Sequence, residues 1–481
     1  MEHRHELLYI GGGWRKPVTD RRIEVTSAST EESLGSVPEA AEGDIDLAVA
    51  TAQYAFGDPA GWASWDTARR GAALERFAVA LEKRGEQFAQ LVSSQNGMPI
   101  SIGRVSEAVT GQVLLRYYAA IAQQSPAEET RPSLVGGSTV VRREPVGVVA
   151  AIVPWNFPQS LTFFKLAPAL AAGCTVVLKP APETVLDAFL LAEAAAEADL
   201  PPGVLNIVPA GREAGAYLVA HPGVDKVAFT GSTAAGRAVA QECGRLLRPV
   251  TLELGGKSAA IVLDDADLTS QLDKLFAATL LNNGQTCYLG TRVLAPRSRY
   301  AHVVDVLTGL ASSLQVGDAL DDSTQVGPLV SSRQRDRVEG YIAQGLAGGA
   351  RLTTGGGRPA GRSRGWFVQP TVFANVDNAA TIAREEIFGP VLSVIGYDDV
   401  DEAVDIANDS DYGLGGSVWT ADPERGLGIA RRVRTGSIGV NGYALDPGSP
   451  FGGVKASGMG RELGPEGLAA FQQLKSIYLP A

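Results

Sequence analysis

Cysteine, histidine and methionine are scarce in this chain: 481 residues include three cysteines, four histidines and three methionines. Cys174, Cys243 and Cys287 are odd in number, widely spaced and free of any C-x-x-C, which excludes a disulfide framework or a zinc ribbon and fits a reducing compartment. Histidine offers only an H-x-H pair, His3 and His5, which reads as part of a disordered tail, with His221 and His302 isolated, so no metal site is predicted. Long apolar runs are missing too. The stretch Val146 to Val153 is cut by Pro154 and is too short to span a bilayer. The N-terminal Met1-Glu2-His3-Arg4-His5-Glu6 lacks the apolar centre of a secretory signal, and a cytoplasmic location is expected. Clustered basic charge is absent, and a net charge of −11 argues against nucleic acid or an anionic membrane as the main partner.

What is present is an ordinary globular composition, 45% hydrophobic and 20% charged, with 56 glycines and 27 prolines dispersed along the chain. The length predicts two or three domains. Helical spacing of apolar residues begins at Asp44 and recurs from Arg69 to Ser93. From Glu144 to Val153 the chain reads as a buried parallel strand, continuous in apolar and β-branched residues. Helices near Phe163 to Ala171, Val185 to Ala198, Glu213 to Ala220 and Ala234 to Cys243 then alternate with strands at Thr175 to Leu178, Val204 to Val208, Lys226 to Thr230 and Thr251 to Glu253. Such alternation predicts a doubly wound α/β sheet. A second series starts near Ser258, with a helix over Leu268 to Leu281, a strand over Thr291 to Leu294 and a helix over Ala301 to Leu314. The polar, alternating stretch Glu128 to Arg143 reads as a hairpin too small to fold alone.

Three segments carry chemistry. Cys287 closes Asn283-Gly284-Gln285-Thr286-Cys287, Glu253 lies in Leu252-Glu253-Leu254-Gly255-Gly256-Lys257, and Asn156 lies in Pro154-Trp155-Asn156-Phe157-Pro158. A thiolate adds to a carbonyl carbon. A carboxylate at a strand end, followed by two glycines that let backbone approach, acts as general base for the thiol and for a hydrolytic water. An amide donor held between two prolines, with the Cys287 N–H, is suited to a developing oxyanion. Cys174 and Cys243 read as core.

These motifs, in order with Gly12-Gly13-Trp14, Phe229-Thr230-Gly231-Ser232-Thr233, Glu385-Glu386-Ile387-Phe388-Gly389-Pro390 and Pro450-Phe451-Gly452-Gly453-Val454-Lys455, resemble the aldehyde dehydrogenase superfamily over nearly the whole chain. The resemblance implies a Rossmann-type cofactor domain over 1–124 and 145–253, a catalytic α/β domain over 254–455, and a small β oligomerisation element from 125–144 and 456–481. It implies Cys287 as nucleophile, Glu253 as base, Asn156 as oxyanion donor and Lys165 as a charge supporting Asn156 and proton transfer. Relatives that pass the acyl group to coenzyme A generally lack the acid matched by Glu253, so hydrolysis to a free carboxylate is favoured. A coenzyme A-acylating dehydrogenase and a catalytically silent structural relative are the alternatives.

Oxidation without a metal or flavin motif calls for a nicotinamide dinucleotide. Gly231-Ser232-Thr233-Ala234-Ala235-Gly236 takes the place of a G-x-G-x-x-G at a strand-to-helix turn, where a helix N-terminus favours phosphate. By resemblance the cofactor-binding residues are Ile152, Pro154, Trp155, Lys179, Glu183, Gly211, Phe229, Thr230, Gly231, Ser232, Leu254, Gly255, Glu386 and Phe388. Lys179 would contact the adenine ribose, and Glu386 and Phe388 the nicotinamide ribose and ring. Many NAD-preferring relatives carry a glutamate where this chain has Pro182, with Glu183 displaced by one. NAD is favoured, and the missing repulsion leaves NADP open.

The resemblance places Phe157, Leu161, Phe164, Thr286, Tyr288 and the loop Ala444 to Ser449 along the aldehyde tunnel. Most are apolar, which suits an uncharged aliphatic or aromatic aldehyde, while Asp446 keeps a polar or cationic one as the alternative. The hairpin near Glu128 to Arg143 and the terminal Leu474 to Leu479 resemble oligomerisation strands, so a homodimer or homotetramer is expected.

Overall fold

The computed structural model describes residues 3–480. Its central layer is an eight-stranded sheet in the order Gly458–Met459, Val250–Glu253, Lys226–Thr230, Val148–Ile152, Thr175–Lys179, Leu205–Ile207, Leu8–Ile10, Gly13–Arg15. The strands from Val250–Glu253 to Leu205–Ile207 run parallel, and the pairings at both edges are antiparallel. Val148–Ile152, Thr175–Lys179 and Lys226–Thr230 are buried along their whole length because helices cover both faces. A second, seven-stranded sheet runs Arg351–Thr354, Thr371–Ala374, Val391–Tyr397, Arg292–Pro296, Ala259–Val262, Gly416–Trp419, Gly439–Val440 and is parallel except at its first strand. The α/β fold expected from the alternation is the one observed. No helix among the described residues is long and apolar enough to cross a membrane.

Several boundaries differ from the sequence reading, each for a local reason. The strand expected over Glu144 to Val153 is two elements. Ser138–Pro145 belongs to the hairpin, and Gly147 then turns the chain at φ +125, where the Asp225 carboxylate occupies the space a Cβ would need. Asp225 accepts the Val148 N–H at 2.8 Å and fixes the start of the buried strand. The single apolar pattern from Arg69 to Ser93 divides into helices Thr67–Glu82 and Gly85–Asn96. The stretch Leu268 to Leu281 holds a 3-10 turn, Thr269–Gln271, ahead of helix Leu272–Thr279. His5, expected in a disordered tail, stacks on Phe189 at 4.1 Å, and His3–Arg4 pairs with Ser33–Pro38.

The hairpin Glu128–Pro132 and Ser138–Pro145 takes the C-terminal strand Gln472–Leu479 as its third member. The rest of segment 456–481 goes elsewhere: Gly458–Met459 edges the eight-stranded sheet, and helix Gly464–Ala469 packs on helix Pro158–Ala172. That last helix starts at its proline N1 residue, ends at Gly173 (φ +101), and is buried on every side. It delivers Leu161, Phe164 and Lys165 to the site. Its start is anchored by Glu107, which accepts from the Gln159 N–H (2.8 Å) and the Ser160 hydroxyl (2.6 Å). Asp187 accepts the Gln159 and Gln95 side-chain amides beside it. Burial raises the Glu107 carboxyl to about 7 and the Asp187 carboxyl to about 6.

Candidate active site

Cys287 follows three consecutive left-handed residues, Asn282 (φ 52), Asn283 (φ 60) and Gly284 (φ 73). Asparagine tolerates this region because its short amide bonds locally. Asn283 donates to the Gly97 and Pro328 carbonyls, both at 2.8 Å, and accepts the Gly327 N–H at 2.6 Å. At Gly284 only glycine fits, since a Cβ would meet the backbone of Gly389. The Cys287 turn is thus pressed against the segment that carries Phe388. Cys287 is half-buried; burial first, then the Glu386 and Glu253 carboxylates, push its thiol pKa up. The shift favours the thiol over the thiolate.

Glu253 closes its strand with only 2% exposure, and neither carboxylate oxygen has a hydrogen-bond partner. Burial and the neighbouring Glu462 hold its pKa well above the usual carboxylate range, opposed by Lys165 and Arg461. The Gly453 N–H favours the anion from nearby without reaching hydrogen-bond geometry. A buried carboxyl with free lone pairs and a raised pKa is equipped to take and return a proton.

Lys165 is fully buried and forms an ion pair with Glu462 at 2.8 Å. Its ammonium also donates to the Thr230 hydroxyl at 2.6 Å. The structure therefore pairs Lys165 with Glu462 and Thr230; the Asn156 side chain instead donates to the Gln285 carbonyl at 3.0 Å. Asn156 is buried at the turn between strand Val148–Ile152 and helix Pro158–Ala172. Its backbone carbonyl accepts from the side chains of Asn96 (3.2 Å) and Asn282 (3.0 Å).

A cavity of about 470 Å3 opens beside Cys287 and Asn156. Nine expected cofactor residues line it: Pro154, Trp155, Thr230, Gly231, Ser232, Leu254, Gly255, Glu386 and Phe388. The other five are not among its lining residues. Ile152 ends a central strand, and the Phe229 ring lies under Gly231. Lys179 is buried and donates to the Pro180 carbonyl, with burial lowering its pKa to about 8. Gly211 caps helix Arg212–Ala220, with its N–H on Glu39, and Glu183 is paired with Arg333 at 3.0 Å.

Arg333, Gln334 and Arg337 also line the cavity and were not anticipated. They lie on one face of helix Ser332–Ala347; Gln334 donates to the Phe388 carbonyl (2.8 Å) and Arg337 to that of Glu386 (2.7 Å). Their i, i+1, i+4 spacing was a signal, but it also describes a solvated helix face. Glu462, similarly missed, sits in the charged pair Arg461-Glu462.

The cavity fits a nicotinamide dinucleotide in its donor set. Helix Thr233–Arg245 presents its N-terminus there under the Ser232 cap. Glu386 offers a carboxylate whose other contact is the Gly256 N–H at 2.9 Å; burial raises it to about 7 against that donor. Phe388, held at φ +60, stands edge-on to Trp155 at 5.3 Å.

The other side of Cys287 is aromatic. Tyr288 stacks on Tyr443 at 4.4 Å, and Phe451 meets Tyr288 and Phe164 edge-on at 6.5 and 6.4 Å. Phe157, Cys287, Tyr288 and Leu445 pack against the same apolar cluster as Leu161 and Phe164. Thr286 spends its hydroxyl on the Leu281 carbonyl. Asp446, the one acid of the loop, accepts from the Gly448 N–H (2.8 Å) and the Ser449 hydroxyl (2.7 Å), which hold its carboxyl below its ordinary pKa.

A cysteine thiol set between this cavity and an apolar wall, with a buried carboxyl nearby, is an arrangement suited to a class of carbonyl-oxidising enzyme. Residues 14–477 match the model of the aldehyde dehydrogenase family, and the chain belongs to that family. It is 58% identical over 475 residues to the geranial dehydrogenase of Castellaniella defragrans, covering 99% of each chain. Among solved structures, it matches a Mycobacterium tuberculosis aldehyde dehydrogenase complexed with NAD+ at a TM-score of 0.97 and 49% identity, covering 100% of this chain and 99% of that one. A mutant of the Pseudomonas syringae aldehyde dehydrogenase AldC, solved with NAD+ and octanal, matches at 0.93 and 39% identity, with 99% and 97% coverage.

Proposed function

We propose that the protein oxidises an apolar, chain-like aldehyde to its free carboxylic acid with NAD+. In this reading Glu253, directly or through a water, takes the Cys287 proton as sulfur bonds to the aldehyde carbon and the carbonyl electron pair moves onto oxygen. The oxyanion is held by the Asn156 side-chain amide and the Cys287 N–H, each such donor being worth roughly 3 kcal/mol of barrier. The bound dinucleotide supplies the hydride acceptor; Glu386 holds its ribose, and Phe388 packs on its ring. Loss of hydride leaves an acyl thioester on Cys287. Once Glu253 has released that first proton, it takes a second from water as the water oxygen bonds to the acyl carbon; the C–S bond then breaks, the acid leaves, and Glu253 returns this proton to the Cys287 sulfur.

Release to water, rather than to coenzyme A, rests on Glu253, a buried carboxyl whose two oxygens are unpartnered and free for a water. The same retained group, with Cys287 and Asn156, argues against a silent relative. The Lys165–Glu462 pair beside it, reaching Thr230 on the cavity wall, is the group of contacts best placed to carry its proton away.

The substrate class rests on the aromatic wall. The stacked faces of Tyr288 and Tyr443 cover one another and form no open cage for a cation, and the Asp446 charge is already committed to its own loop. A relative named for geranial and a neighbour solved with octanal accord with an apolar chain. The test is reduced-cofactor absorbance over apolar, hydroxylated and quaternary-ammonium aldehydes, with and without coenzyme A. Highest kcat/KM for the apolar members without coenzyme A supports the proposal; preference for the cationic aldehyde or dependence on coenzyme A overturns it.

Assembly as a homodimer or homotetramer is supported by the edge strand Gln472–Leu479, which leaves Leu474 and Tyr478 at 66% and 81% exposure. A cytoplasmic location accords with three unpaired cysteines.

A further inference from the structure

The carbonyl of Asn156 has both acceptor positions filled by the side-chain amides of two buried asparagines. Asn96, the last residue of helix Gly85–Asn96, is fully buried and donates its amide to the Trp155 carbonyl (3.0 Å) and the Asn156 carbonyl (3.2 Å). Its own carbonyl oxygen accepts the Met98 N–H at 2.9 Å, so the amide cannot flip without losing every partner. Asn282, also fully buried, approaches the Asn156 carbonyl from the nucleophile turn at 3.0 Å. Directly after Asn96, Gly97 (φ +80) offers its carbonyl to Asn283, and the Pro328 backbone lies where its Cβ would be. One corner, residues 96–98, therefore touches both the turn that carries Asn156 and the turn that carries Cys287.

We propose that Asn96, together with Asn282, is a positioning residue that sets the direction of the Asn156 amide relative to the Cys287 sulfur. The inference rests on the reading of Asn156 as oxyanion donor. Asn96 is not among the residues lining the cavity, so it acts through the backbone. The prolines at 154 and 158 restrict the residues on either side, but the peptide between Asn156 and Phe157 is held by the two asparagine amides. Fixing that peptide fixes where the Asn156 side chain starts. A misplacement of about 1 Å at a catalytic group costs up to roughly a hundredfold in rate, which gives the clamp a kinetic role beyond two satisfied hydrogen bonds.

The test measures single-turnover hydride transfer, dinucleotide affinity by fluorescence titration, and Tm in the full-length enzyme. Variants are Asn96→Ala, Asn156→Ala, their double, and Ser393→Ala, which drops a buried bond to the Ile382 carbonyl in the other sheet. Asn96→Ala is expected to slow hydride transfer about 10–100-fold with affinity unchanged, and Asn156→Ala about 100–1,000-fold. The double is expected to be no slower than Asn156→Ala, while Ser393→Ala loses Tm and keeps its rate. Asn282→Asp, which tolerates the left-handed backbone, carries the same test if Asn96→Ala does not fold. Full hydride-transfer rate in the Asn96 and Asn282 variants, or a double whose losses multiply, overturns the clamp. A full rate in Asn156→Ala removes the oxyanion reading itself, and the clamp with it.

Discussion

On the cofactor side of Cys287 the wall is tied to backbone: Gly231 and Gly255 let the chain approach, the Glu386 carboxylate accepts the Gly256 N–H, and Gln334 and Arg337 of helix Ser332–Ala347 grip the carbonyls of Phe388 and Glu386. On the proposed aldehyde side the wall is side chain: Phe164, Tyr288, Tyr443 and Phe451, drawn from separate segments and joined by ring contacts, with Phe157 and Leu161 in the apolar cluster beside them. Backbone geometry at glycine and left-handed residues tolerates little exchange, whereas an aromatic ring can be replaced by another apolar group at small cost to the fold. On the proposed function, exchange on the second wall would alter the choice of aldehyde while leaving the cofactor side in place.

The largest predicted effect removes the atom both walls serve. Cys287→Ala should lose aldehyde oxidation by roughly 10^4-fold or more while binding the dinucleotide as before; parallel loss of binding would merge the two walls into one function. On the aldehyde side, Tyr443→Ala should lower kcat/KM for a long apolar aldehyde relative to acetaldehyde by about 10–100-fold, with dinucleotide affinity unchanged. An unaltered preference would move the selectivity elsewhere. On the cofactor side, Glu386→Gln should slow single-turnover hydride transfer by about tenfold with the order of aldehydes preserved. A reordered aldehyde panel would break the comparison.

The smallest effect lies beneath both walls, at the anchor of helix Pro158–Ala172. Burial raises Asp187 from 3.8 to about 6, so its protonated form is favoured by folding. The stability this group contributes is present below the unfolded value and is lost as pH rises through about 6. In Asp187→Asn that loss is absent, and a flip of the Gln159 side-chain amide, whose Oε1 is buried without a partner while its Nε2 faces Asp187, turns that oxygen toward the new NH2. The variant should gain about 1–3 kcal/mol on wild type between pH 4 and pH 7, read as Tm against pH. Parallel curves would show that the carboxyl ionises freely.

Residues whose type and neighbours were both unusual could be found in the sequence: a lone cysteine after Gly-Gln-Thr, a carboxylate before two glycines, an amide between prolines. The structure gathers Cys287, Asn156 and the Gly231 turn around one cavity, with Glu253 behind in the core. Arg333, Gln334, Arg337, Asn96, Asn282 and Glu462 were not legible, because a polar residue on a helix or beside a glycine resembles an ordinary solvated or capping one until its distant partner is known. Lys165 shows the same limit from the other side: its presence near the site was readable, but its partner Glu462 lies almost 300 residues away, and no local pattern links them. Strand limits failed where a tertiary contact, such as Asp225 against Gly147, decided the turn.

On the proposed function, Glu253 turns an acyl enzyme into a free acid. The decisive measurement is stopped-flow NADH formation by Glu253→Gln, with an apolar aldehyde and no coenzyme A. The expected result is a burst of NADH approaching one per active site, slowed where Glu253 also deprotonates the thiol, followed by turnover at least about a hundredfold below wild type. Sustained turnover at the wild-type rate would contradict it.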